Sequence, residues 1–112
     1  MRTERYAASV VRFYVALPKN HEEVIVLAKQ LLRAGTSVAA HIREASHARS
    51  DAELVSKLGG AIQEADKFLL WLELLRDECS VAASLTKPLE IEASELSAIC
   101  ASTINKTREQ SA

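Results

Sequence analysis

The stretch Phe68-Leu69-Leu70-Trp71-Leu72-Glu73-Leu74-Leu75 decides how this chain is read. At 100° per residue its seven apolar side chains sweep an arc of roughly 260°. The remaining polar wedge holds Asp66, Glu73 and Asp77. A helix that faces a single core needs an apolar stripe of only about 100°. The excess predicts a helix with two interfaces, one to its own bundle and one to another copy. Phe68, Leu70, Trp71 and Leu74 are the candidate core and oligomer-interface residues. The longest uninterrupted apolar run, Phe68 to Leu72, falls far short of the roughly 20 residues that span a bilayer, so no membrane partner is expected.

Working outward, this helix spans about 51–78. Ser50-Asp51-Ala52-Glu53 opens it as a capping box, with acidic residues in the positive first turn. A second helix, about 21–47, precedes it and carries Val24, Leu27, Leu31, Val38, Ile42 and Ala45 on one face. Asn20 is its expected N-cap, with Glu23 three residues on. Gly35 in its middle costs about 1 kcal/mol against Ala, which a closely approaching neighbour offsets. A first helix, about 3–17, stops at Pro18, whose ring cannot continue it. The last helix is read from Pro88, a favoured first-turn residue, to about 108. Glu90 and Glu92 then start it, Lys106 and Arg108 end it, and the residues beyond are expected to fray.

Four helices with short connections predict one all-α domain over 1–112, an antiparallel up-down-up-down four-helix bundle. The second and third helices meet around Ala48 and Arg49. That register sets Arg33 opposite Glu64 as an inter-helix ion pair, His41 near Lys57, and Val26 level with Trp71.

Composition agrees. The 112 residues include only three Gly and two Pro, too few for the turns of a many-stranded sandwich or barrel. A 48% apolar content argues against intrinsic disorder. The start shows no apolar signal segment, so Cys79 and Cys100 are read as reduced thiols and the expected location is cytoplasmic. The net charge of −1 conceals a basic first half (+4 over residues 1–49) and an acidic second half (−5).

The search for chemistry returns little. A di-iron bundle site needs paired Glu-x-x-His motifs, and the chain offers only a reversed His41-x-x-Glu44. Gly59-Gly60 follows no strand and makes no phosphate loop; it reads as a close helix crossing. No catalytic residue, cofactor or metal ligand is assigned, and an enzyme is not expected. One cluster is notable: His41, Arg43, His47 and Arg49 gather at the turn, with Lys57 just beyond. Such a basic patch is a candidate surface for nucleic acid, although no aromatic residues interleave it. A second protein is the other candidate partner besides the chain itself.

Gln30-Leu31-Leu32-Arg33-Ala34, Ser37 to Ala45, Ser50 to Lys57 and Gln63 through Leu75 together resemble a known family. It comprises the bacterial four-helix bundle proteins named after the 23S rRNA intervening sequence. The resemblance covers roughly residues 20–108 and is most specific over 30–75. It implies the bundle described above and a ring-like homopentamer. Relatives include accessory variability proteins of diversity-generating retroelements, which bind a reverse transcriptase and nucleic acid and look strongly basic, whereas this chain is slightly acidic.

Overall fold

The computed structural model describes residues 1–111. They form four helices and no strand: α1 Arg2–Ala16, α2 Glu22–Ser46, α3 Asp51–Glu78 and α4 Ala83–Ser111. Each packs on its chain neighbours, and α1 also meets α4, so the order around the bundle is α1, α2, α3, α4. Cross-contacts run antiparallel: Glu4 reaches Arg43, Lys57 reaches Glu44, and Asp51 bonds to Ser111. The result is a rod of 51 × 22 × 20 Å.

The main core gathers Tyr6 and Val10 from α1, Leu31 and Val38 from α2, Phe68, Leu72 and Leu75 from α3, and Leu89, Ala93 and Leu96 from α4. A smaller core of Ala45, Leu58, Ala61, Cys100 and Ile104 fills the end at the α2–α3 turn. The ring of Tyr6 meets Phe68 edge-on at 5.8 Å, a favoured aromatic geometry.

Gly35 has the close neighbours its position implied. A Cβ there would lie 2.8 Å from both Phe68 Cε1 and Val10 Cγ1, so α1 and α3 converge on bare backbone. Gly60 lies beneath the His41 ring, while Gly59 faces open space. The close crossing read from this pair therefore belongs to Gly60 alone.

Local expectations at the helix ends are corrected. The α2 N-cap is His21, not Asn20, and no side chain caps it. Leu17 to His21 run as non-helical backbone, so α2 opens one residue later than read. At α3 the cap forms as expected, with Ser50 Oγ accepting the Glu53 N–H at 3.0 Å.

The fourth helix begins at Ala83, and Pro88 stands inside it. Its absent N–H leaves the Ser84 carbonyl without a helical donor, but both residues are exposed, where water can supply one. Ser80, at φ 62°, makes the turn from α3 to α4. The same helix continues through Glu109 and Gln110 to Ser111, past the end read at about 108; Ala112 lies outside the described residues.

The α2–α3 register is also displaced. His41 faces Gly60, three positions beyond Lys57, and Phe68 faces Gly35. Ser50 is extended, at φ −154° and ψ 162°. An extended residue advances about 3.3 Å against 1.5 Å in a helix. Entry to α3 therefore overshoots the end of α2 before the chain returns.

Candidate functional site

The wide arc of α3 is largely covered by its own chain. Phe68, Leu72 and Leu75 are fully buried, Leu69, Trp71 and Leu74 are half-buried, and Leu70 alone is exposed. Flanking helices account for this: α2 and α4 nearly match α3 in length and cover one side each. Exposed large apolar residues are instead spread over all four helices, including Met1, Val11, Val15, Val26, Leu85, Ile91 and Ile99.

The predicted ion pair between Arg33 and Glu64 does not form. Glu64 Oε1 accepts from Lys67 Nζ at 3.2 Å, because the displaced register carries Arg33 past it. Two ties that the sequence reading missed hold the bundle instead. Arg2 grips Glu92 through two bonds of 2.8 Å and also reaches Glu95. Arg76 joins Asp77 at 2.7 Å and Glu90 at 2.8 Å. Glu90 and Glu92 would be first-turn acids in a helix that began at Pro88. In a helix that begins at Ala83 they lie beyond the first turn, where they serve as partners for arginines. The Arg2 guanidinium holds the Glu92 carboxyl below its usual range.

The basic patch at the α2–α3 turn is divided by its surroundings. The His41 ring is half-buried over Gly60, with Nδ1 2.8 Å from the Ser37 carbonyl. Arg43 Nη2 lies 3.8 Å from Glu4, and Lys57 Nζ lies 3.5 Å from Glu44. His47 and Arg49 remain exposed and take part in no ion pair among the described residues. Arg43 and His47 also rim a groove of about 580 Å³ between α1 and α2, floored by Ala7, Ala39 and Ala40.

Two further clefts flank α1. One, of about 300 Å³ against α4, is lined by Arg5, Arg12, Ser9, Leu85 and Glu92. The other, of about 340 Å³, opens between the start of α1 and the ends of α2 and α4, and is lined by Ile42, Leu54, Leu58, Leu96 and Ile99. It lies where the shorter α1 leaves the seam uncovered. Tyr6 Oη is buried without a hydrogen-bond partner, and burial pushes its phenol well above the usual range.

Among the described residues no three His, Cys, Asp or Glu side chains converge in a metal-binding group. No helix there is long and apolar enough to cross a membrane. Cys79 and Cys100 are free thiols, both raised in pKa mainly by burial. In Cys79, Glu23 and Glu78 add to the rise.

Four packed helices, an apolar core and grooves rimmed by ion pairs define a small all-α bundle protein. The chain belongs to the 23S rRNA-intervening sequence protein family, whose model matches residues 1–102. The match includes α1, beyond the stretch that carried the resemblance in the sequence. The fold is similar to the crystal structure of a Bacteroides thetaiotaomicron protein described as of unknown function, from the S23 ribosomal protein family. The TM-score is 0.83 at 33% identity, over 92% of this chain and 94% of that one. A comparison with curated proteins finds no match. Neither the family description nor the structural neighbour points to an enzyme.

Proposed function

We propose that this chain is a non-enzymatic, self-associating helical bundle that works in the cytoplasm as a scaffold or binding module, assembled as a ring of five copies. The observation that carries the reading is the exposure of large aliphatic side chains on every helix, led by Met1, Val15 and Leu85. Burying such side chains against a second copy takes their apolar surface out of water, the main driving force of association. The five-fold count rests on family resemblance. Light scattering coupled to size exclusion tests the proposal: the expected mass is about five times that of the chain. Elution as a 12.3 kDa monomer at micromolar concentration overturns it.

A second reading, an RNA-associated protein, is favoured by exposed His47 and Arg49 beside the groove that Arg43 rims. The name of the structural neighbour's family, a ribosomal one, points the same way. In a ring, a weak patch repeats and gains avidity. Titrating the protein against a mixed RNA pool at rising salt tests this. Phosphate contacts give binding that weakens steeply with salt, and absence of binding at about 50 mM salt ends the reading.

A further inference from the structure

The cleft between α1 and α4 gathers hydrogen-bond donors and leaves them short of acceptors. Arg5, Tyr6, Ser9 and Arg12 line it from α1, at spacings that put all four on one face of that helix. Arg12 Nη2 reaches back one turn to Ser9 Oγ at 3.2 Å, and Ser9 Oγ donates to the Arg5 carbonyl at 2.9 Å. The second arginine is thereby drawn toward the first. Among the described residues neither guanidinium has a carboxylate within 4.0 Å.

Tyr6 adds a third donor. The residue is 2% exposed, and its Oη is buried with no hydrogen-bond partner among the described residues. A buried hydroxyl left unpaired costs stability, a cost that an acceptor from outside the chain removes. After burial, the next influence on the phenol is the Glu92 carboxylate, which shares the lining of the cleft. The hydroxyl therefore lies toward the α4 wall. Arg5 and Leu85, both exposed, line the same cleft. Exposed side chains change rotamer in ps–ns, so a small movement at the rim opens a way to the hydroxyl.

Glu92 does not oppose an anion here. It accepts two bonds of 2.8 Å from Arg2, which also reaches Glu95. Around the cleft three arginines thus stand against two glutamates. The rest of the lining includes apolar Phe13, Leu85 and Pro88, with Leu85 58% exposed. A volume of about 300 Å³ lies at the small end of ligand sites.

We propose that this cleft binds a small organic oxyanion, a phosphate monoester or a carboxylate, on an apolar body. The head takes the N–H groups of Arg5 and Arg12 and the hydroxyl of Tyr6, while the body lies against Phe13, Leu85 and Pro88. Guanidinium forks match the paired oxygens of both kinds of head. All of these groups belong to one chain, so the site goes beyond the self-association reading and does not depend on it.

Calorimetric titration of the full chain tests the site, with phenyl phosphate and benzoate as probes and with phenol and inorganic phosphate as controls. Saturable binding of at least one probe is expected, and the tighter of the two identifies the head. Phenol, which lacks the charge, and inorganic phosphate, which lacks the body, are expected to bind at least tenfold more weakly. R5Q/R12Q is expected to abolish binding, whereas K29Q/R33Q, which removes two exposed charges from α2, is expected to leave it unchanged. Tyr6→Phe is expected to weaken it roughly tenfold, the scale of a hydrogen bond to a charged group. Its melting temperature is expected not to fall, because the hydroxyl has no partner to lose. The proposal is overturned if neither probe saturates, if a control binds as tightly as the better probe, or if R5Q/R12Q binds like the unmodified chain. Equal losses in K29Q/R33Q and R5Q/R12Q also overturn it, since bulk charge would then explain the binding. Unchanged affinity in Tyr6→Phe overturns the site as drawn.

Discussion

Positions 35 and 59 hold the same residue in helices and respond oppositely to substitution. A Cβ at 35 would stand 2.8 Å from Phe68 and Val10, both fully buried and unable to retreat. Overpacking of this kind costs about 1–3 kcal/mol, which outweighs a helix-propensity gain of about 1 kcal/mol. Gly35→Ala is therefore expected to destabilise. A Cβ at 59 meets nothing within 4 Å, so Gly59→Ala is expected to stabilise by about 0.5–1 kcal/mol. Urea denaturation of both variants checks the pair, and equal signs would contradict the packing described. The sequence alone told of the cost at Gly35 and of a neighbour to offset it. That Gly59 and Gly60 divide into a free and a filled position was hidden, because it depends on which ring crosses over from α2.

Helix ends show how far local signals reach. Ser50 was legible because its hydroxyl and the Glu53 N–H lie three residues apart and need nothing distant. Ser50→Ala is expected to cost about 1 kcal/mol. Asn20→Ala, at a position that caps nothing, is expected to cost under about 0.5 kcal/mol; thermal unfolding separates the two. The start of α4 was misread for an opposite reason. Proline favours first turns, yet Thr86 and Leu89 on either side of Pro88 are buried, so packing on the bundle holds the helix through it. The apolar arc of α3 was visible as a pattern, but its partition between neighbours depends on how long α2 and α4 are. Partner choice failed for the same reason: with Gly35 facing Phe68 and His41 facing Gly60, Arg33 is carried past Glu64, which is left to Lys67 on its own helix.

At the scale of the molecule, α1 is the short member, with 15 residues against 25 to 29 in the others. Its tie to α4 through Arg2 and Glu92 is sensitive to acid. Glu92 binds its proton less readily when folded than when unfolded. The stability it contributes is therefore complete above the ordinary carboxylate pKa of about 4.3, and is lost as pH falls through the lower folded value. Between pH 5 and 3 the unmodified protein is expected to lose more stability than Glu92→Gln, as read by urea midpoints at each pH. Equal losses would place the acid sensitivity elsewhere.

The same tie has a consequence in time. Arg2 and Glu92 are 90 residues apart, and chains are synthesised at about 5–20 residues per second. Roughly 5–18 s therefore pass between the making of the first partner and the second. During that interval α2 and α3 can close as a hairpin, whereas α1 has no fourth helix to hold. This tie is thus among the last to close, and a companion that meets the growing chain finds the α4-facing side of α1 still uncovered.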